Sequence, residues 1–296
     1  MCNFGNMNKF LNFLLVLTII SCDKSESSVD PSSPGLSTQT LNHDGMDRQF
    51  LIYNPNSNNI QSERPLLINF HGFGGQAKDF FEWSNMRSLA DSEDFILVYP
   101  QGSDLGGSSH WNAALNGGDN KSDTDDLGFI EAIINKLSSE KLIDVKRVYA
   151  IGYSNGGMMS YALACYKSNL IAAFGSVSGY MLQSECTPSH SIPLIKLHGT
   201  NDYYDGGGVY NSVESTLNYW INFNNINSNF VLETYNDNGT EIEFYNYQNQ
   251  INQIAVHHYK VINGEHVWFD FNFNGNNSNK IIWDFFSKYD IDGLRN

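Results

Sequence analysis

Apolar residues in this chain come in two patterns: short near-continuous runs, and longer stretches where they recur every three or four positions. Pro65 to His71, Phe95 to Tyr99, Val148 to Ile151, Ala172 to Val177 and Ile192 to Leu197 are runs of four to seven residues, nearly all apolar. A strand carries apolar side chains on both faces only when both are covered, so these runs predict the centre of a mainly parallel sheet flanked by helices. Arg48 to Tyr53 predicts an opening strand and Ile254 to Ile262 a late one. From Gly128 to Leu137, Phe129, Ile130, Ile133, Ile134 and Leu137 sit at helical spacing, with Asp125 and Asp126 placed to cap the helix and charge its start. Asn236-Asp237-Asn238-Gly239 lies between two aromatic or β-branched runs and predicts a hairpin, a solvated loop being the alternative. Pro100 to Asp125 is rich in Gly, Ser and Asn and exceeds the ~12 to 15 residues beyond which a loop usually has a function; it is expected to wall a binding cleft.

The first forty residues follow neither pattern. Lys9 precedes the apolar stretch Phe10 to Ile20, which suits a signal-peptide core and falls short of the ~20 residues of a membrane span. Ile19-Ile20-Ser21-Cys22 resembles a bacterial lipobox, which makes Cys22 the candidate lipidation site and puts the protein outside the cytoplasm, anchored in a membrane only by that lipid. The expected division is a signal peptide over 1–21, a polar Ser/Pro-rich tether over 22–39 and one folded domain over 40–292. With 17 Lys+Arg against 32 Asp+Glu the formal charge is −15, which repels nucleic acid and anionic lipid headgroups. Beyond the signal region the cysteines are Cys165 and Cys186, an even pair that in an exported protein points to a disulfide, with two buried thiols as the alternative.

The chemistry concentrates at one motif. The run Val148 to Ile151 enters Gly152-Tyr153-Ser154-Asn155-Gly156, and Gly157 to Cys165 reads as a helix, giving the G-x-S-x-G elbow of α/β-hydrolases. Glycine is needed on either side because a larger side chain there collides with neighbouring strand and helix, and Ser154 becomes the candidate nucleophile. A serine needs a base and the base a carboxylate, following in the order Ser, acid, His on this scaffold. Catalytic groups sit on loops at the carboxyl ends of parallel strands. His266, just past the strand Ile254 to Ile262, is therefore preferred to His257 and His258 within it, and Asp202, after His198-Gly199-Thr200-Asn201, to Asp205. An oxyanion hole needs two backbone N–H groups; Asn155 supplies one and His71-Gly72-Phe73-Gly74-Gly75 the other, through Phe73 before Gly72, with His71 holding that loop. Asp119, Asp123, Asp125 and Asp126 do not meet the calcium-loop spacing, and the nucleotide-binding glycine motifs are absent, so no metal and no cofactor are expected.

The blocks Asn69 to Gly75, Val98 to Gly102, Trp111-Asn112, Asp125 to Ile130, Arg147 to Cys165, Leu197 to Asp202 and Gly264 to Trp268 resemble, in order across about residues 45 to 288, the secreted polyhydroxybutyrate depolymerases and feruloyl esterases related to carbohydrate esterase family one. The resemblance implies an α/β-hydrolase fold, a Ser154–Asp202–His266 triad, Trp111 and Trp268 near the substrate, and a Cys165–Cys186 pair. Trp111 as a loop anchor is the competing reading. Phe73 stands where many members carry cysteine and Glu265 where glycine is usual. The expected substrate is a carboxylic ester, either feruloyl or acetyl on polysaccharide or a hydroxyalkanoate polyester; an idle glycan-binding protein and a serine peptidase are the rival readings.

Overall fold

The apolar runs become strands of a ten-stranded sheet in the computed structural model, which describes residues 35–55, 63–115, 122–183, 186, 188–203, 211–227 and 229–295. In chain order the elements are β1 (Leu36–His43), β2 (Met46–Tyr53), β3 (Arg64–Phe70), α1 (Ala77–Ser84), α2 (Arg87–Glu93), β4 (Ile96–Pro100), β5 (Ser103–Leu105), β6 (Ser108–His110) and α3 (Asp126–Ser139). They continue with β7 (Ile143–Tyr153), α4 (Asn155–Tyr166), β8 (Ala173–Val177), β9 (Leu194–Gly199), α5 (Val213–Phe223), β10 (Phe230–Asp237), β11 (Thr240–Gln248), β12 (Ala255–Val261) and α6 (Ser278–Phe286).

The large sheet runs β1-β2-β4-β3-β7-β8-β9-β12-β11-β10. From β4 to β12 all neighbours are parallel, while both margins are antiparallel. The carboxyl ends of β3, β7, β9 and β12 therefore lie along one edge, which gathers loops distant in sequence. The period-2 alternation of the strands divides the core: Leu66, Ile68, Val148 and Ala150 pack under α3, α4 and α5, and Leu67, Leu97, Tyr149 and Ile151 under α1, α2 and α6. Helix α4 is buried along its length, as its apolar circumference requires.

The hairpin forms: Asn238 and Gly239 both take positive φ, and Asp237 pairs with Thr240. Two sequence expectations need correction. Residues 36–39, placed in the tether, belong to β1, where Leu36 pairs with Tyr53; at the other end Gly293–Leu294 pairs with Tyr289–Asp290, so the fold extends past residue 292. The segment after Pro100 is more regular than its composition implies: β5 and β6 form a small hairpin, and Trp111, Ala113 and Ala114 are buried. Residues 1–34, with Cys22, and residues 116–121 and 204–210, with Asp119 and Asp205, lie outside the described residues. Cys165 and Cys186 are bonded, tying the end of α4 to the segment before β9.

Of the two aspartates at the start of α3, Asp125 caps it, accepting from the Gly128 N–H at 2.9 Å, whereas Asp126, its first residue, is buried. Its carboxylate accepts from Arg48 Nη2 and from the Asn112 N–H, both at 2.7 Å, and the guanidinium lies over Phe129. Burial pushes the Asp126 carboxyl up, and Arg48 opposes it. Arg48→Met should strand this charge and lower stability by about 3 to 5 kcal/mol in urea unfolding, with part of the loss recovered by also changing Asp126 to Leu. A loss below about 1 kcal/mol would show that the pair holds little.

Candidate active site

Ser154 lies between the end of β7 and the start of α4, with φ 52° and ψ −119°. A non-glycine residue in such a region costs roughly 1 to 3 kcal/mol and persists only where neighbours over-determine it. Here the Ser154 N–H donates to Val177 O at 2.9 Å, and its C=O accepts from the Met158 N–H at 3.0 Å. The flanking glycines are dictated by contact: a Cβ on Gly152 would lie 2.3 Å from the Gly156 carbonyl, and one on Gly156 would lie 2.2 Å from Phe70 O.

His266 and Asp202 arrive from the loops after β12 and β9. The two loops are joined by bonds from the Asn201 N–H to Gly264 O and from the Asn263 N–H to Thr200 Oγ1. Asp202 accepts from His266 Nδ1 at 3.0 and 2.9 Å through its two oxygens, and its side chain is wholly buried. Nδ1 thus carries the ring proton, and Nε2, 2.8 Å from Ser154 Oγ, is left to accept the serine proton. Tyr153, next to the serine, donates its hydroxyl to His266 O at 2.8 Å and packs its ring 5.1 Å from the imidazole. Such an array can move a proton from a hydroxyl to an imidazole whose resulting charge a buried carboxylate stabilises.

The glycine loop after β3 lies against this serine, since a Cβ on Gly72 would come within 3.4 Å of Ser154 Cβ. The N–H groups of Gly74 and Gly75 are spent on Ser109 O and Gly72 O, which narrows the loop amides open to a ligand to Gly72 and Phe73. Across from them the Asn155 N–H, first in α4, has no intrahelical acceptor. Buried His71 holds the loop: Nδ1 donates to Gly72 O at 2.7 Å, and Nε2 accepts from the Gly102 N–H at 2.9 Å.

Trp111 requires a correction. It does not line a pocket; it is fully buried and donates from Nε1 to His71 O at 3.0 Å. Its backbone N–H donates to Asn155 Oδ1 at 2.7 Å, and its C=O accepts from Asn155 Nδ2 at 3.0 Å. The Asn155 amide and Trp111 therefore fasten the start of α4 to the glycine loop. Trp268 is likewise 6% exposed, packed edge-on to Phe80 and donating to Asn279, so the substrate contact expected of it is not available. The aromatics that are exposed here are Phe73 (56%), Trp83 (52%) and Tyr203 (79%). Phe73, Trp83 and Tyr153 border a cavity of about 320 Å³; Tyr203, Glu265 and His266 border another of about 550 Å³. Trp83 and Tyr203 were missed because residue type does not report burial, and only their nearness in sequence to Gly75 and Asp202 could have drawn attention to them.

Behind Asp202 lies a buried polar cluster. Lys196, fully buried, donates to Gly179 O at 2.7 Å, and burial pushes its ammonium down to about 7. Tyr180 donates to Asp202 O at 3.0 Å, and His198 Nε2 lies 3.1 Å from the Tyr180 hydroxyl. His258 is buried on β12 beside Lys196 and, like His257, stays on the strand away from the serine. Burial lowers His71 to about 4 and His258 to about 3, and lowers His198 further still.

Unfolding therefore releases these imidazoles, together with those of His257 and His190, which burial also lowers, and the pKa of each returns to 6.5. Between that value and pH 4 the unfolded chain takes up protons that the folded chain refuses, so their contribution, present above pH 6.5, is lost as pH falls, by up to about 1.4 kcal/mol per pH unit for each group. His258→Gln should remove about one proton from the uptake measured on unfolding at pH 5; an unaltered uptake would refute a neutral His258. Trp111→Phe keeps an aromatic ring but shrinks it and leaves His71 O without its indole donor, so stability should fall by about 1 to 3 kcal/mol and turnover should fall for all esters alike. A KM increase confined to bulky esters would return Trp111 to a substrate pocket.

The comparisons agree with this architecture. The acetyl xylan esterase structure from Aspergillus awamori superposes with a TM-score of 0.60 over 85% of this chain and 99% of that one; at 15% identity this shows the fold alone. By sequence the chain is 34% identical over 158 residues to a bifunctional acetylxylan esterase/xylanase of Neocallimastix patriciarum, covering 53% of this chain and 22% of that protein. It is 30% identical to feruloyl esterase B of Piromyces equi, over 54% of this chain and 31% of that one. The matched region thus spans less than half of each of these two relatives. A model of phospholipase/carboxylesterase sequences matches residues 56–258, more than half of the chain, and the protein belongs to that family.

Proposed function

We propose that the protein is a serine esterase that hydrolyses carboxylic esters carried by polysaccharides. The observation that carries the reading is the continuous line from Ser154 Oγ to His266 Nε2 at 2.8 Å and from Nδ1 to Asp202 at 2.9 Å. In this reading Ser154 Oγ attacks the ester carbonyl as His266 takes its proton, and Asp202 stabilises the imidazolium without itself being protonated. The oxyanion is met by the N–H groups of Asn155 and Phe73, each worth on the order of 3 kcal/mol in the transition state. Collapse expels the alcohol, protonated by His266, and leaves an acyl-Ser154 that water, deprotonated by the same histidine, hydrolyses. No metal or cofactor takes part.

Feruloyl and acetyl esters on plant or algal polysaccharide are the preferred substrates, supported by the names of the relatives; hydroxyalkanoate polyester is the competitor. We place the enzyme outside the cytoplasm, cleaved before a lipidated Cys22 and tethered by the residues between Cys22 and β1. The disulfide between Cys165 and Cys186 supports an oxidising compartment.

Ser154→Ala should fold normally and lose about 10⁶ of turnover, because a triad acts as a unit. The assay is hydrolysis of methyl ferulate, acetylated xylan, p-nitrophenyl esters of rising length and polyhydroxybutyrate. Residual activity at a tenth of wild type would displace Ser154, and turnover of the polyester alone would displace the polysaccharide.

A further inference from the structure

A further cavity lies away from the serine. It is a groove of about 960 Å³ between the first turns of α5 and the sheet face of β9, β12 and β11, within the size range that holds organic ligands. Tyr203 borders both this groove and the cavity beside His266, which places the two side by side, and Asp202 itself lines the groove.

We propose that this groove binds a neutral oligosaccharide, the polymer chain attached to the ester oxygen. The inference rests on the esterase reading of Ser154 and concerns the leaving-alcohol side. Three observations carry it. The first is an aromatic strip: Tyr245 and Tyr247 project from one face of β11 with parallel rings 6.4 Å apart, and Phe230, 47% exposed, sits 5.2 Å from each and prolongs the strip to the sheet edge. Flat ring faces in a row suit the C–H faces of successive sugar rings.

The second is an unmet polar demand. His198 Nδ1 and His258 Nε2 belong to groove-lining side chains 4% and 7% exposed, and neither atom has a hydrogen-bond partner among the described residues. Since Tyr180 donates its proton to Asp202 O, His198 donates Nε2–H to the Tyr180 hydroxyl, and Nδ1 is left as a lone-pair acceptor. Buried polar atoms of this kind require an explanation; at the groove wall, hydroxyls that both give and accept protons match neutral imidazoles, and an all-apolar guest does not.

The third is charge. Glu214 and Asp202 line the groove together with Lys260, which Glu243 already neutralises at 2.7 Å, and the whole chain carries −15. An anionic polymer is repelled, and an uncharged one is not.

The test uses the Ser154→Ala protein, in which binding is read without turnover, titrated calorimetrically with xylohexaose, cellohexaose and mannohexaose, and with a trimer of 3-hydroxybutyrate. At least one hexasaccharide should bind, and Tyr245→Ala with Tyr247→Ala in the same background should weaken it tenfold or more, while Tyr247→Phe restores it. In the active enzyme the same double change should lower the preference for a feruloylated trisaccharide over methyl ferulate at least fivefold. Binding of no hexasaccharide, binding indifferent to the two tyrosines, or binding of the polyester trimer alone overturns the proposal. An enzyme that turns over methyl ferulate yet binds no saccharide fails only here, whereas saccharide binding without any ester turnover leaves the groove standing and removes the esterase.

Discussion

The site depends on one clamp, the side-chain amide of Asn155 closed on the backbone of Trp111. The strained Ser154 cannot by itself fix the direction in which α4 presents its first N–H, and the glycine loop after β3 has little side-chain packing of its own. Trp111 connects the two, because the residue that accepts Asn155 also donates its indole N–H to His71 O. His71 in turn fixes Gly72 O and the Gly102 N–H. The start of α4 and the glycine loop, some eighty residues apart, are thereby fastened to one another beside Ser154, as the oxyanion hole proposed for Asn155 and Phe73 would require.

The acid is supported differently, by a pocket of groups that burial keeps from being charged. His198, which burial keeps neutral, lies 3.5 Å from the wholly buried Asp202, beside a lysine whose ammonium is pushed down to about 7, and His258, likewise neutral, sits on β12 opposite that lysine. Protonated histidines here would compete with His266 for the carboxylate; neutral ones leave its charge for His266. Lys196 is the exception, a potential cation attracted by Asp202 and fastened to Gly179 O. That bond also ties the loop after β8, whose Tyr180 donates to Asp202 O, to β9, from which Asp202 comes.

The placement of the candidate triad was legible in the sequence wherever it depends on the backbone. A glycine two positions either side of Ser154, a loop after an apolar run, and chain order were enough to name Ser154, Asp202 and His266, because parallel strands bring those loops to one edge. The aromatics were not legible. Trp111 and Trp268 are large and lie in the blocks shared with the esterases, yet both are core residues, while Trp83 and Tyr203 are exposed beside the site. Polarity pattern reports burial for a strand or helix with a period; Trp111 sits in an irregular segment that has none. Residues 36–39 misled in the opposite way: a strand at the sheet margin buries little, so its composition resembles a linker.

This division bears on how such a site changes specificity. The serine, the clamp and the acid pocket are interlocked through buried hydrogen bonds, where one change propagates. Phe73, Trp83, Tyr203 and the β11 tyrosines stand on the rim, attached to the scaffold but sparsely enclosed by it. In the proposed oxyanion hole the glycine loop acts through its backbone, which leaves the exposed side chain at position 73 free of that geometry. On that proposal a cysteine there, as many resembling esterases carry, and the phenylalanine here would serve the same chemistry while presenting different surfaces to the ester, and the two sides of the cleft could diverge independently of the machinery between them.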